Sequence, residues 1–417
     1  MAQTASDVSS RSRLSSAFWR FFVGQSISNL GSSFTGFALP LVVYQLTHSA
    51  VNLAISAATD FVPYLLFGLF VGVWVDRLDR RQIMLVTNWL DAALIASIPL
   101  LSMLGLLSIW YIYVIGFLSA TAGIFFASAE FAALPNLVDT TNLVKANGRI
   151  QASYSAISFI GPILAGLLVV VLPVVSLLFI DAASFAIAAL LLATIRQRFN
   201  TETVRPTTSF RADLLEGLRF IVRHPVIRAL TLVVALVNFF FNMVGYELVV
   251  YVKLQLRGPD WQYGWLLAAN SVGIVVFGLL AEHVHERFRF SRIVLFSLGV
   301  TGLLIVVFGF LRNIWLACVV WALVWGFIML FNINVDSLRQ MIIPDHLLGR
   351  VKTTARMLVF SLIPLGTILG GSLVQLTGQV GLVFSGVGVM VFLLTVLFTF
   401  SAIGQAERYL PEKTPSP

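Results

Sequence analysis

Charged residues are scarce in this chain. Asp, Glu, Lys and Arg make up 11% of its 417 residues, whereas soluble domains carry about 25%. Hydrophobic residues account for 58%. A water-soluble protein of this length, which would have about three domains, cannot cover its surface with so few charges. The composition therefore predicts a protein that exposes much of its surface to lipid.

Features that carry chemistry are also missing. The single cysteine, Cys318, excludes an internal disulfide and any paired-cysteine metal site. There is no GxxxxGK[ST] loop to bind nucleotide phosphates, so ATP does not drive this chain directly. The net charge of +8 is spread over short loops, which argues against nucleic acid as a partner. We expect neither an enzyme nor a bound cofactor or metal.

Long apolar stretches dominate what is present. A helix needs about 20 residues to cross the hydrocarbon of a bilayer. Twelve stretches of that length occur, which predicts an all-α integral membrane protein with twelve transmembrane helices. The predicted spans, numbered 1–12 in chain order, are Phe18–Val43, Val51–Val75, Ile83–Leu106, Ile109–Phe131, Ala152–Leu172, Val174–Ile195, Val226–Val252, Tyr263–Ala281, Ile293–Leu311, Ile314–Val335, Met357–Leu376 and Gly381–Ile403.

The basic residues predict the orientation of these spans, because Lys and Arg are enriched in cytoplasmic loops. With the N-terminus inside, only three of the 27 Lys and Arg residues fall in outward loops, namely Lys253, Arg257 and Arg312. The pattern predicts a multi-pass protein of the cytoplasmic (cell) membrane with both termini in the cytoplasm.

The longest polar stretch between spans divides the chain into halves. It predicts a cytoplasmic linker over residues 196–225 that contains an amphipathic helix on the inner membrane surface. An N-terminal six-helix bundle then occupies residues 18–195, and a C-terminal one occupies residues 226–403. Cytoplasmic tails of residues 1–17 and 404–417 flank them.

The two halves repeat short patterns at equivalent places. FGLFVGVWVDR at 67–77 matches FGLLAEHVHER at 277–287, and GPILAG at 161–166 matches GTILGG at 366–371. Parallel six-helix repeats are typical of transporters. We therefore expect two pseudo-symmetric bundles with a polar cavity between them.

The hinge after span 2 carries five charges within residues 76–81. Gly72 allows a neighbouring helix to approach, and Asp76 can accept hydrogen bonds from the N-terminal amides of another helix. A basic inner loop that only sets topology is the alternative. The acid followed by arginine at the same place in the second half favours a specific role.

This hinge, Gly72-x-x-x-Asp76-Arg77-x-x-Arg80-Arg81, resembles the signature after the second helix in the major facilitator superfamily, with Asp79 where that pattern has glycine. Stretches such as VDRLDRRQIMLVTNWLDA and LPNLVDTTNLVKANGRIQ are similar to the macrolide-efflux and siderophore-exporter branch of its drug exporters. The resemblance implies the major facilitator fold and a conformational lock at the cytoplasmic side. The lock residues would be Gly72, Asp76, Arg77, Arg80 and Arg81.

GPILAG resembles the helix-5 motif of proton-coupled antiporters, and the matching residues are Gly161, Pro162 and Gly166. The upstream glycine of the fuller pattern is Ile157 here, and span 4 lacks the arginine that many such exporters carry. Two interpretations stay open. The motif could serve proton coupling as it does in those antiporters, or its small residues could allow close helix packing.

Ionisable groups inside spans are costly and often mark proton or ion pathways. The candidates for proton coupling are Asp60, Asp91 and Asp181. In the superfamily, spans 3 and 6 lie behind the cavity, so Asp91 and Asp181 are more typical of hydrogen bonds within a bundle. Asp60 on span 2 is better placed, and we expect no Lys or Arg at its depth. A structural role for Asp60 stays open.

The superfamily resemblance also implies that spans 1, 4, 7 and 10 line the cavity. Amide and aromatic side chains recur at helical spacing on three of these spans, and such mixed faces suit a large amphipathic ligand. Interhelical packing is the alternative for each residue taken singly. The candidates to line the cavity are Gln25, Asn29, Ser33, Asn238, Asn242, Tyr246, Glu247, Trp321, Trp325 and Asn332.

Together these features predict a secondary active transporter that exports amphipathic drug-like or natural-product molecules (macrolide-type) by alternating access and proton antiport. Export of a siderophore or lipid-like metabolite is the alternative within transport, and a membrane scaffold or sensor is the alternative outside it. The expected partners are a small amphipathic substrate, protons and the lipid bilayer, and we expect the chain to act as a monomer.

Overall fold

The computed structural model describes residues 14–68, 70–138, 142–197, 199 and 210–409. Within them it contains 12 helices long and apolar enough to cross a membrane, which confirms the all-α class and the predicted number of spans. Spans 1–6 are Ser16–Thr47, Ala50–Phe67, Arg80–Met103, Ile109–Leu137, Leu143–Leu168 and Val174–Ala193. Spans 7–12 are Pro225–Gln255, Trp261–Arg287, Phe290–Phe310, Ile314–Ile342, His346–Thr377 and Val380–Thr399. Three shorter elements complete the fold, namely the helices Val71–Arg77 and Phe210–Arg223 and the 3₁₀ segment Ala402–Tyr409.

Polar side chains decide where several spans begin. Ser49 accepts a hydrogen bond from the backbone N–H of Asn52 at 3.3 Å, and Asp79 accepts one from the N–H of Gln82 at 2.9 Å. Asn313 does the same at the start of span 10. Each oxygen satisfies an N–H that has no partner in the first helical turn. The loops between spans can therefore be short without leaving these amides unsatisfied.

The described residues form two compact units. The first contains residues 14–46 and 62–199, and the second contains residues 47–61 and 210–409. The first half of span 2 thus belongs to the second unit, where it packs against span 11. The backbone N–H of Ala50 donates to Oε1 of Gln375 at 3.0 Å, which ties together residues 325 positions apart in the chain.

Span 2 is interrupted within its length. Its helix runs over Ala50–Thr59, turns at Asp60 and Phe61, and resumes over Val62–Phe67. The N–H of Asp60 donates to the carbonyl of Ala57 at 3.3 Å, so the turn satisfies part of its own backbone. Interruptions at membrane depth need such local partners. The turn coincides with the boundary between the two units.

Glycines allow the closest helix crossings in the second unit. Where spans 8 and 10 cross, a Cβ on Gly273 would lie 2.9 Å from the backbone nitrogen of Gly326. Where spans 9 and 12 cross, a Cβ on Gly302 would lie 2.7 Å from the backbone nitrogen of Phe392. Such crossings tolerate no side chain, which is the usual role of small residues between membrane helices.

The helix Phe210–Arg223 lies against span 11. Its contact point is Gly217, where a Cβ would lie 2.5 Å from Oγ1 of Thr354 and 2.8 Å from the carbonyl oxygen of Arg350. Arg350 also forms an ion pair with Glu216. Three apolar side chains on the same helix stay exposed, namely Leu215, Leu218 and Val222. An exposed apolar row suits a helix that lies at a membrane interface.

We expect Gly217→Ala to destabilise the second unit. The added methyl group would push against Thr354 and the span 11 backbone, and overpacking of this kind costs about 1–3 kcal/mol. The higher helix propensity of Ala offsets about 1 kcal/mol of that cost. Thermal unfolding in detergent should show a lower midpoint for the variant. Gly349→Ala is the matched control, because a Cβ there meets nothing within 4 Å, and an equal midpoint for both variants would contradict the packing role.

Candidate functional site

Two hinge arginines bind backbone carbonyls within the first unit. Arg80 is buried, and its Nη1 donates to the carbonyls of Ala132 at 3.0 Å and Phe199 at 3.3 Å. Arg81 Nη2 donates to the carbonyl of Ala193, the last residue of span 6, at 2.7 Å. Cations near helix C-termini satisfy carbonyls that lack an intrahelical partner. Arg77 is exposed, and the structure does not describe the surroundings of Gly72 or the side chain of Asp76.

Two of the three predicted coupling aspartates bridge neighbouring spans. Asp91 on span 3 accepts a hydrogen bond from the Ser119 hydroxyl of span 4 at 2.7 Å. Asp181 on span 6 accepts one from Thr35 of span 1 at 2.5 Å and another from Ser184 at 3.2 Å. Both aspartates are buried. Carboxyl groups bonded to neighbouring hydroxyls in this way hold helices of one bundle together.

Asp60 has different surroundings. It lies in the turn of span 2 with an exposed side chain, and among the described residues its carboxylate is in no ion pair or side-chain hydrogen bond. The next residue, Phe61, packs edge-on against Tyr246 at 6.2 Å and Phe360 at 6.5 Å. The guanidinium of Arg356 lies 5.0 Å from the Phe360 ring.

A cluster of polar side chains lies on spans 1, 4 and 5 of the first unit. Gln25 Nε2 donates to Oδ1 of Asn29 at 3.4 Å, and both amides lie near the hydroxyl of Tyr154. Glu130 of span 4 lies within electrostatic reach of Tyr154. All four side chains are partly exposed, whereas Oε1 of Glu130 is buried without a hydrogen-bond partner among the described residues. We call Gln25, Asn29, Glu130 and Tyr154 the polar cluster.

Sequence reasoning assigned only Gln25 and Asn29 of this cluster to a site. The GPILAG motif is the stronger signal on span 5 and does not include Tyr154. Glu130 lies near the end of span 4, where an ionisable side chain does not by itself indicate a site. The signal available for Tyr154 was the polar run QASYS at 151–155, which opens the predicted span 5. A second contact also joins spans 1 and 5, since the hydroxyls of Ser26 and Ser153 lie 2.8 Å apart.

The residues of the GPILAG motif pack against span 1. Gly161, Pro162 and Gly166 are all buried. Ser33, which also donates to the carbonyl of Leu30 at 2.6 Å, occupies the space that a Cβ on Gly161 would need. This geometry agrees with the packing interpretation of the motif.

The second unit presents amides on span 7. Asn238 donates to the carbonyl of Val234 at 2.9 Å, and Asn242 donates to the carbonyl of Asn238 at 2.7 Å. Both side chains are partly exposed, as is Tyr246. Their carboxamide oxygens can still accept hydrogen bonds from another molecule. Asn332 on span 10 is exposed.

Trp321 of span 10 is enclosed in a stack of aromatic rings. It has no exposed surface, and its ring lies 4.9 Å from Phe308 and 5.9 Å from Phe241. Trp325 packs edge-on against Phe241 at 5.1 Å and stays partly exposed. Neither indole N–H has a hydrogen-bond partner within the described part of the chain. Of the two tryptophans expected to line a cavity, only Trp325 offers surface to a ligand in this structure.

Glu247 also lies in the interior of the second unit. It follows the end of the long span 7 helix at Gly245 and precedes the short helix Leu248–Val250. Its side chain is 1% exposed, so in this structure it does not face an open cavity. Val244 and Met243, three and four residues before it, are also buried, so helical spacing places Glu247 on the same inward face.

Comparison with known proteins gives the family. A family model described as transmembrane secretion effector matches residues 9–414. The multidrug efflux pump Tap of Mycolicibacterium fortuitum is 28% identical over 363 residues, which cover 84% of this chain and 87% of that protein. Macrolide efflux protein A of Streptococcus pyogenes is 24% identical over 356 residues, which cover 84% of this chain and 88% of the relative.

A solved structure shares the fold. The nucleoside transporter NupG aligns with a TM-score of 0.74 at 12% identity, over 95% of this chain and 100% of that one. At such identity the likeness bears on the fold alone. Since the family model spans nearly the whole chain, the protein belongs to the transmembrane secretion effector family of the major facilitator superfamily and is a multi-pass membrane transporter.

Proposed function

We propose that the protein is a secondary active exporter of amphipathic drug-like or natural-product molecules of the macrolide type, driven by proton antiport and alternating access. The polar cluster carries this proposal. Its amide, phenol and carboxyl groups are partly open on otherwise apolar spans, and such a face can orient the few polar groups of a largely apolar ligand. The relatives named as multidrug and macrolide efflux pumps support the same substrate class.

In this proposal, amide and aromatic side chains of the second unit also bind substrate. The predicted cavity residues of the second unit that have exposed surface are Asn238, Asn242, Tyr246, Trp325 and Asn332. Aromatic faces bind apolar parts of a ligand, and free carboxamide oxygens accept hydrogen bonds. We leave Trp321 and Glu247 out of the substrate-binding set because both are buried.

The orientation follows from charge. We assign both termini to the cytoplasm, because the Lys and Arg residues concentrate in the loops on that side. The hinge of residues 72–81 then lies at the inner surface, where it acts as the conformational lock. Arg80 anchors it to the carbonyl of Ala132 on span 4 and Arg81 anchors it to the carbonyl end of span 6, and Arg77 stays exposed for the changing contacts of the cycle.

We assign proton coupling to Asp60. Asp91 and Asp181 have hydroxyl partners already and serve the first bundle as structural groups. Asp60 is exposed at an interruption of span 2, without such partners among the described residues. A carboxyl group in this position can take up a proton from one side and release it to the other as its surroundings change. Ionisable groups in interrupted membrane helices commonly have this role.

Asp60→Asn should abolish efflux driven by a proton gradient and leave substrate binding measurable, because an amide keeps the shape of the side chain and cannot carry a proton. Reconstituted vesicles with an imposed pH gradient give the transport rate, and ligand titration of the purified protein gives binding. Asp91→Asn is the matched control, since its amide oxygen can still accept the Ser119 hydrogen bond. Substrate accumulation by Asp60→Asn at the wild-type rate would return Asp60 to a structural role.

Drug susceptibility of an efflux-deficient host tests the function as a whole. Expression of the chain should raise the tolerated concentration of macrolides and related amphipathic compounds, and dissipating the proton gradient should remove the protection. Protection limited to iron-chelating siderophores or to lipid-like metabolites would replace the substrate class. No protection and no transport with any of these compounds would refute the proposed function.

A further inference from the structure

A buried carboxyl group in the second unit has no assigned role. Glu247 is 1% exposed, and neither Oε1 nor Oε2 has a hydrogen-bond partner among the described residues. A buried polar group without a partner costs free energy, and the cost is larger for a charge. An apolar residue of similar size would avoid that cost. The position therefore points to a use that needs a carboxyl group.

The carboxyl group lies where three helical segments meet. A Cβ on Gly371 of span 11 would lie 3.0 Å from Oε1 of Glu247, 2.7 Å from the carbonyl oxygen of Ala50 and 2.5 Å from Cβ of Ala54. The neighbouring Gly370 is equally close to span 7, with a Cβ position 2.5 Å from the carbonyl oxygen of Met243. Glu247 thus lies beside the contact between span 11 and the first half of span 2.

Glu247 forms no ion pair within the described part of the chain. Residues 50–59 and residues 358–377 contain no ionisable side chain. On span 7 the nearest cation in sequence is Lys253, which pairs with Asp260 at 2.5 Å. The other ionisable side chains nearest to Glu247 along these segments are His48, Asp60, Tyr246, Tyr251 and Arg356, and none of them is in an ion pair or hydrogen bond with Glu247.

This packing accepts a neutral carboxyl group and excludes a charged one. An unpaired carboxylate in such a place costs several kcal/mol, so ionisation requires that the segments separate and admit water. A metal cation would need several oxygen ligands to replace its water, and the neighbours here are Gly371, Ala50 and Ala54. We propose that Glu247 is a proton-binding site, and that the bound proton holds the first half of span 2 against span 11. The inference rests on the proposed proton antiport, in which it adds a second proton site to Asp60.

Distance measurements between spin labels test this inference without any substrate. The labels are attached at Val51→Cys, which is partly exposed, and at Leu376→Cys, which is 83% exposed, with Cys318→Ala removing the native thiol. In lipid nanodiscs at mildly acidic pH we expect one short distance. At mildly alkaline pH a second, longer distance should appear. Glu247→Gln should lose the longer distance at every pH, Glu247→Asp should keep it, and the exposed control Glu282→Gln should behave as the wild type.

The outcomes separate this inference from the proposed function. A longer distance at alkaline pH in Glu247→Gln would overturn the proton site. So would a wild-type protein that exports in response to a pH gradient but shows one unchanging distance. Absence of gradient-driven export by the wild type would instead refute the proposed antiport, and with it the coupling role of Glu247. Purification of Glu247→Gln and Glu247→Asp with the wild-type elution profile shows that the labelled variants are folded.

Discussion

Glu130→Gln should reduce the efflux of cationic amphipathic compounds by roughly 10- to 150-fold, because a hydrogen bond between charged groups contributes about 1.5–3 kcal/mol. The carboxyl group of Glu130 belongs to the polar cluster and has a buried oxygen with no partner in the described part of the chain. Within the described residues it forms no ion pair with a protein cation. A protonated amine on a substrate would supply the missing charge.

The measurement compares two compounds with one skeleton. One carries a basic amine, and in the other the amine is acylated and therefore neutral. Glu130→Gln should impair export of the amine and spare the neutral compound, because Gln still offers a hydrogen bond but no charge. Glu282→Gln, which removes an exposed carboxylate elsewhere, is the control. Equal loss for both compounds would mean that Glu130 acts through the fold, and no loss for either would remove it from substrate binding.

Of the two glycine crossings described above, the one at Gly273 should be the more sensitive, and Gly273→Val should strongly lower the stability of the folded protein. The space for a Cβ at Gly273 is taken by the carbonyl group of Ala322 and by the backbone nitrogen of Gly326 at 2.9 Å. Backbone atoms cannot rotate away as a side chain can, so spans 8 and 10 must move apart. We expect a loss at or above the upper end of the usual range for overpacking, about 3 kcal/mol.

Gly123→Val on span 4 is the matched control, since a Cβ there meets nothing within 4 Å. Both substitutions place a β-branched residue in the middle of a membrane helix. Membrane-inserted protein and the thermal midpoint in detergent should fall for Gly273→Val and stay close to wild type for Gly123→Val. Similar values for the two variants would show that the crossing of spans 8 and 10 adapts to a side chain.

The number of spans could be predicted from the sequence because the bilayer sets the length of an apolar helix. The same signal says little about where such a helix is interrupted. Pro63 follows the turn of span 2 and has no N–H to donate to the carbonyl of Thr59, so this interruption has a local cause that the length of the apolar stretch does not show. The length of span 7 likewise does not show the break beside Glu247.

The ends of the helices and the tertiary contacts of single side chains could not be predicted from the sequence either. The predicted span 11 begins at Met357, whereas the helix begins at Asp345 and continues through its polar first turns. Arg356 therefore lies well inside the helix, over the ring of Phe360. Tyr154 could not be joined to Gln25 from sequence, because which faces of spans 1 and 5 meet depends on contacts across more than a hundred residues.

The hydrogen bond between Ala50 and Gln375 has a consequence for biosynthesis. At a synthesis rate of about 5–20 residues per second, the 325 residues between them take roughly 16 to 65 s to emerge from the ribosome. The first half of span 2 is made early but must wait for nearly the entire chain before its partner on span 11 exists. The second unit thus closes last, and a chain that stalls before span 11 leaves Ala50–Thr59 in the membrane without that partner.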